Sequence, residues 1–337
     1  MLRMNRRQTL ALMGGTAAAA GLAAPAIART KTVVGALRLT SHAASFVGVE
    51  RGYFDDAGLD VELRFFDAAQ PMAVAIASGD VDFGITAMTG GLINLAERGA
   101  VRVIGGALQE EPGIDGQKIL ASDDAYQDGL TSPAALDGRR FAITQTGSSF
   151  HYMGSKITEQ EGVSVEYRPL QSVGAIIGAM QSGQVDAWSI VPHIAKALDA
   201  SGALHIIGDV ADYIPDYQVT TVFTSTENVN DNRALTEDFL AAFGRGVDDF
   251  NAALVDETAG DDARDAMVRL IHNYVYTDRA YEDAAPPILA GAMRLNPGAA
   301  MNVASLRDQL DWFKQEDLID DGIAFDTVVD TSFVETL

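Results

Sequence analysis

The stretch Gln145 to Tyr152, QTGSSFHY, contains the residues of this chain best suited to bind an anion. It joins an apolar β run, residues 140–144, to a helical pattern that begins at Ser149. Gly147 permits a tight turn, and Ser148 or Ser149 can cap the helix and leave amide N–H groups pointing outward. Such a helix end attracts negative charge. The same residues also fit an ordinary βα turn with a serine cap, which is a common arrangement.

No motif of a catalytic or metal site accompanies these hydroxyls. Ser148 is not part of a GxSxG nucleophile turn, HExxH does not occur, and the five histidines show no metal-ligand spacing. Because the chain has no cysteine, it can form no disulfide, no thiolate metal site and no lipid-modified N-terminal cysteine. We therefore predict a protein that is not an enzyme and that needs no cofactor and no metal.

The N-terminal segment, residues 1–28, reads as a cleavable export signal. It has a basic start without acidic residues, an Ala/Gly/Leu-rich middle and the small-residue site Ala26-Ile27-Ala28. Arg6 and Arg7 resemble a twin-arginine signal, and a general secretory signal stays open. No later segment offers about 20 uninterrupted apolar residues. The prediction is a periplasmic protein.

The charge balance excludes some classes of partner. The chain has 24 basic and 47 acidic residues, a formal net charge of −23. Such a field repels nucleic acid and anionic lipid, so neither is expected as a partner. Because the acidic residues are spread along the chain, we interpret them as a solvated surface. An anionic ligand would be repelled at long range, and local donors would have to bind it.

Alternating β and helical patterns predict an α/β protein with largely parallel sheets. Strands are expected at 33–39, 61–66, 82–86 and 101–107, then, after a polar crossover at 109–116, at 141–144, 163–167, 185–190 and 204–207. Residues 218–225 read as a return strand, and four helical segments follow. An internal echo, ASGDVDFGI and QSGQVDAWSI, indicates two similar units in which Gly79 and Gly183 end a helix.

Three stretches resemble the periplasmic substrate-binding proteins of ABC importers, in the group that binds sulfonates, taurine, nitrate and thiamine-pyrimidine precursors. They are VGVERGYFDDAGLDVEL, ASGDVDFGI, and LDGRRFAITQTGSSFHY followed by VDAWSIVPHIAKAL. The GSSxHY run is most similar to the sulfonate and taurine branch. The resemblance implies a type II periplasmic binding fold with two lobes, each a mostly parallel sheet flanked by helices, and two hinge crossings. Lobe 1 would comprise residues 31–112 and 222–337, and lobe 2 residues 113–221.

In such proteins the ligand meets backbone and hydroxyl donors at strand ends. Carried over to this sequence, those positions are Thr40, Ser41, Thr86, Thr89, Gln145, Thr146, Gly147, Ser148 and Ser149. Three larger side chains, His42, Trp188 and His193, are further candidates, with core packing or a solvated surface as the alternatives. The sequence departs from familiar sulfonate binders because no cation other than Arg38 lies near these strand ends.

The function that the resemblance implies is capture of a small organic anion, a sulfonate, taurine-like compound or carboxylate, by a monomer that delivers it to an importer permease. A neutral heteroaromatic ligand, such as a thiamine pyrimidine precursor, is an alternative. A second alternative is a ligand-sensing partner of a membrane receptor.

Overall fold

The computed structural model describes residues 29–337, and the predicted export signal lies outside them. Two five-stranded mixed sheets, each flanked by helices, form two lobes. The first sheet has the order β2-β1-β3-β10-β4 and the second the order β7-β6-β8-β5-β9. The strands are β1 Thr30–Ala36, β2 Leu59–Phe65, β3 Phe83–Thr86, β4 Val101–Gly106, β5 Lys118–Ser122, β6 Arg140–Ile143, β7 Glu166–Pro169, β8 Ala187–Ile190, β9 Leu204–Asp209 and β10 Thr221–Ser225.

The α-helices cover both faces of these sheets. They are α1 Ala43–Glu50, α2 Tyr53–Asp56, α3 Ala69–Ala77, α4 Gly90–Glu97, α5 Asp123–Gln127, α6 Ser149–Glu161, α7 Val173–Gln181, α8 Pro192–Ala200, α9 Thr226–Asn230, α10 Arg233–Phe250, α11 Asp261–His272, α12 Tyr281–Leu289, α13 Val303–Gln315 and α14 Phe325–Val328. Among residues 29–337, none of them has both the length and the apolar character needed to cross a membrane.

The two sheets share one plan, as the sequence echo predicted. In the first, β1 pairs in parallel with β2 and β3, and β10 returns antiparallel between β3 and β4. In the second, β6 pairs in parallel with β7 and β8, and β5 runs antiparallel between β8 and β9. Gly79 and Gly183 follow the helices α3 and α7 with left-handed φ values of 80° and 67°. Both glycines therefore end a helix as expected.

Strand β5 and the short helices α2, α5, α9 and α14 were not predicted from the sequence patterns. The strand is only five residues long, KILAS, and directly follows the polar crossover. It nevertheless lies inside the second sheet, paired on both sides. Its place is therefore fixed by long-range pairing with β8 and β9 and not by a local periodicity.

Helix α10 packs closely on α1, and a glycine permits the contact. A Cβ atom at Gly246 would lie 2.3 Å from the carbonyl oxygen of Ala44, whereas a Cβ atom at Gly244 would meet nothing nearer than 3.4 Å. Backbone cannot move aside as a flexible side chain can. The helix pair therefore depends on the missing side chain at position 246.

We expect Gly246→Ala to lower the free energy of unfolding by about 1–3 kcal/mol, because the added methyl group must push the two helices apart. Gly244→Ala, two residues away in the same helix, is the matched control. It should be neutral or stabilising, since Ala is the better helix former by about 1 kcal/mol. Urea unfolding of both variants measures the difference, and equal values for the two would contradict this packing argument.

Candidate functional site

A cavity of about 60 Å³ lies between the two lobes, with lining residues from both sheets. Most of its wall is apolar, and within the described part of the chain no charged side chain lines it. Its polar lining residues are Ser41, His42, Thr86, Gln117, Thr144, Ser148, Ser149 and Thr220. The site therefore offers hydroxyl, amide and imidazole groups in an otherwise apolar space.

The first lobe contributes its residues at the carboxyl ends of two neighbouring parallel strands. A 3-10 turn, Thr40–His42, follows β1 and places Ser41 and His42 at the cavity. Thr86 is the last residue of β3. Because β1 and β3 pair in parallel, their ends meet at one edge of the sheet. The imidazole Nδ1 of His42 accepts a hydrogen bond from Leu37 N at 3.3 Å, so the neutral ring carries its proton on Nε2.

The second lobe contributes the turn between β6 and α6. Ser148 is the N-cap of α6, and its hydroxyl accepts from His151 N. Gly147 adopts the left-handed φ of 73° that this turn requires. Its N–H donates to His151 Nδ1 at 3.2 Å, and its carbonyl accepts from Gly90 N of the other lobe at 3.0 Å. The serine-capped turn predicted from the sequence is confirmed. The carbonyl of Gly147 also links the two lobes by a backbone hydrogen bond.

Five of the predicted ligand residues meet at this cavity: Ser41, His42, Thr86, Ser148 and Ser149. The others lie near it without lining it. Thr40 is fully buried, and its hydroxyl has no hydrogen-bond partner within residues 29–337, while the Thr89 hydroxyl caps α4 and donates to Gln70 Oε1. Gln145 is half-buried and Thr146 is exposed.

Trp188 and His193 belong to the packing around the cavity. The Trp188 ring is fully buried and contacts the ring of Phe150, which lines the cavity, edge-on at 5.6 Å. His193, at the start of α8, is also buried, and neither of its ring nitrogens has a partner among the described residues. For Trp188 the structure thus shows the core-packing alternative, whereas His193 neither lines the cavity nor lies on the solvated surface that was its alternative.

Several lining residues were not predicted from the sequence. Thr144 follows β6, while Gln117 and Thr220 lie on the two chain crossings that join the lobes. The apolar lining was missed as well; it comprises Leu37, Leu39, Ala68, Ala69, Ala87, Leu108, Phe150, Val173, Ile190, Val191 and Val219. Strand-end position was a usable signal for Thr144, but only tertiary structure brings the crossings to the site.

Arg38, the cation nearest the strand ends in sequence, does not line this cavity. Its guanidinium lies over the Phe65 ring at 3.9 Å and donates to Tyr274 O. Together with Phe66 and Asp67 it lines a neighbouring surface cleft, which shares Leu37, Leu39 and Val173 with the cavity. A charged ligand in the cavity would therefore be held without direct contact to this arginine.

The model of the family described as NMT1/THI5 like matches residues 39–253, which is more than half of the chain and includes all of the predicted site residues. The chain belongs to the NMT1/THI5-like family. Together with the solved structures described next, this match confirms the resemblance to periplasmic substrate-binding proteins of the sulfonate and nitrate group. No curated protein matches this NMT1/THI5-like sequence at a significant level.

Solved structures show the same fold. The ligand binding component of an ABC-type import system from Staphylococcus aureus has a TM-score of 0.69 and 14% identity over 90% of this chain and 98% of that chain. The alkanesulfonate-binding protein SsuA from Xanthomonas axonopodis pv. citri, bound to MOPS, has a TM-score of 0.69 and 15% identity over 90% and 99%. The nitrate-binding protein NrtA from Synechocystis PCC 6803 has a TM-score of 0.67 and 11% identity over 89% and 84%. The NMT1/THI5-like chain therefore has the fold of periplasmic binding proteins.

Two buried histidines of this NMT1/THI5-like protein are held neutral. Burial lowers the pKa of His42 to about 3, and burial together with the nearby His42 lowers the pKa of His193 to about 3. In the unfolded chain both rings regain the ordinary value near 6.5. Between these values the unfolded chain binds more protons than the folded chain, so stability is lost as the pH falls below about 6.5.

We expect the free energy of unfolding to fall by about 1.4 kcal/mol per pH unit for each of these histidines as the pH drops from 6 to 5. His193→Asn should remove one such contribution from the slope. His272→Gln is the control, because His272 is only half-buried and bonds to the Arg279 carbonyl. Urea unfolding across this pH range measures the slopes, and an unchanged slope in the His193 variant would contradict the argument.

Proposed function

We propose that this protein is the solute-binding component of an ABC importer and that it captures a small solute between its lobes. The cavity supports this most directly, because its wall is completed only when residues of both lobes come together. We propose lobe 1 as residues 31–112 and 222–337, and lobe 2 as residues 113–221. A solute that touches both lobes favours the closed arrangement, since only that arrangement makes all of the contacts.

An importer permease is the proposed partner and the periplasm the proposed location, with a monomer as the working form. The fold likeness to the ligand binding component of an ABC-type import system supports the partner. The export signal predicted at residues 1–28 supports the location. We propose no catalytic step, because the cavity's only imidazole, among the residues described, has no carboxylate beside it in the lining to activate it.

The proposed ligand is a small organic anion such as a short sulfonate or carboxylate. Its oxygens would accept from the hydroxyls of Ser41, Thr86, Ser148 and Ser149 and from the Nε2–H of His42. The start of α6 adds the positive end of a helix dipole. A cavity of about 60 Å³ is far smaller than the several hundred Å³ of a drug-sized site, so the ligand is small.

A neutral heteroaromatic ligand is the second candidate. The apolar wall and the lack of charged lining residues within the described chain favour it. Burying a charge without a cation is costly unless hydrogen bonds compensate. The two candidates differ in how strongly they depend on hydroxyl donors, since hydrogen bonds to charged groups contribute about 1.5–3 kcal/mol and those to neutral groups about 1 kcal/mol.

We expect a panel of short sulfonates, carboxylates, nitrate and pyrimidines to contain a compound that raises the melting temperature, because a ligand that binds only the folded chain stabilises it. Thr86→Val, which removes one donor with little change of shape, should weaken an anion about 10- to 100-fold. Calorimetry with the compound identified measures this loss.

Thr32→Val is the matched control, because Thr32 is equally buried in the same lobe, bonds to Thr30 O and does not line the cavity. Its affinity should stay within about twofold of wild type. A panel without any thermal shift would count against solute capture. A tight ligand unaffected by Thr86→Val would count against this cavity as its site.

A further inference from the structure

The two chain crossings that join the lobes run side by side and hold a buried acid between them. Gln109 and Gln218 pair across the crossings in an isolated antiparallel bridge, and Glu110 N donates to Tyr217 O at 2.9 Å. The side chain of Glu110 is 1% exposed. The carboxyl group therefore lies inside the hinge, away from bulk water.

Only one oxygen of this carboxyl group is satisfied. Its Oε1 accepts from Gln117 N at 3.0 Å and from Gln117 Nε2 at 3.2 Å. Its Oε2 has no partner among the described residues, and neither does the buried hydroxyl of Tyr217. A carboxylate left half-satisfied in a buried place carries a high desolvation cost, whereas a protonated acid gains a donor and loses its charge.

The charged groups around the hinge do not neutralise Glu110 by direct contact. The ammonium group of Lys118 is bound by Asp115 and Asp209, and the guanidinium group of Arg294 is bound by Glu111 and Asp256. Burial raises the pKa of Glu110 to about 7, with Asp209 adding to the rise and Gln117 and Lys118 opposing it. The acid is therefore near the midpoint of its titration in neutral solution.

Gln117 connects this acid to the cavity. It lines the cavity and donates both its backbone and its side-chain N–H groups to Glu110. An anion bound against Gln117 would compete for these donors and would place a second negative charge close to the carboxylate. Both effects disfavour the ionised form of Glu110.

We propose that Glu110 takes up a proton from solvent when an anion is captured, so that the hinge acid becomes neutral as the cavity gains a negative charge. The proton ends on the carboxyl group of Glu110, and no bond of the ligand changes. This coupling would let a site without a lining cation hold an anion. Glu110 acts through Gln117 and is thus a positioning residue, and the proposal rests on the anion ligand proposed above.

Ethanesulfonate is a suitable probe, because the sulfonate stays ionised throughout the range and contributes no proton of its own. Calorimetry at pH 7.5 in two buffers of different ionisation enthalpy counts the protons taken up on binding. We expect net uptake in wild type and an affinity that falls several-fold, up to about tenfold, from pH 6 to pH 8. Glu110→Gln should abolish both effects. Glu111→Gln, at a half-buried neighbouring position paired with Arg294, should keep them.

Wild-type binding of ethanesulfonate without proton uptake would overturn the proposal, as would uptake that survives Glu110→Gln. If ethanesulfonate does not bind at all, the proposal that the ligand is a short sulfonate is wrong. The protonation of Glu110 is then tested by the pH dependence of the free energy of unfolding. The pKa of Glu110 is raised in the folded chain, so the stability that its proton contributes to the wild type is lost as the pH rises through about 7. Relative to wild type, Glu110→Gln should therefore gain stability as the pH rises from 5 to 8. If the difference in free energy of unfolding between the variant and wild type stays constant over this range, Glu110 does not titrate there and the proposal is overturned.

Discussion

The hydrogen bond from Gly90 N to Gly147 O, 3.0 Å long, joins the start of a helix in one lobe to the turn before a helix in the other. Without such contacts across the cleft the cavity would be an open groove. Three further hydrogen bonds also join the two lobes. They run from Trp312 Nε1 to Ser155 Oγ, from Tyr276 OH to His193 O and from Lys196 Nζ to Ala290 O. The described chain is thus in a closed arrangement, in which the space between the lobes is small and mostly apolar.

The cavity is small and mostly apolar, and no charged side chain of residues 29–337 lines it, which determines how a ligand could be bound. The net charge of −23 would repel an anion at long range. An anionic ligand would therefore have to be attracted by the hydroxyls, the neutral imidazole and the helix end at the cavity. Such donors are effective because they are fixed in position and need no rearrangement. Burial away from water keeps His42 neutral and raises the pKa of Glu110. The exclusion of water therefore affects both the groups that could bind a ligand and the acid between the chain crossings.

Much of the fold could be predicted from the sequence, because apolar runs and helical periodicity are local signals. The Ser148 cap and the ends of helices at Gly79 and Gly183 are equally local, since a few residues fix each of them. The strand β5 and the lining residues Gln117 and Thr220 could not be predicted in this way, because the second sheet and the crossings bring them into place. For Trp188 alternation allowed two faces, and only packing against Phe150 decides between them.

We propose that the lobes close on a solute held between them, and the distance between spin labels on the two lobes tests this closure most directly. The chain contains no cysteine, so Val74→Cys in α3 and Gln181→Cys in α7, both at exposed positions, give one label on each lobe. Pulsed electron paramagnetic resonance should show a broad distribution of distances in the free protein that becomes narrower and shifts when a ligand from the thermal screen saturates it. A distribution unchanged by a saturating ligand would contradict the account.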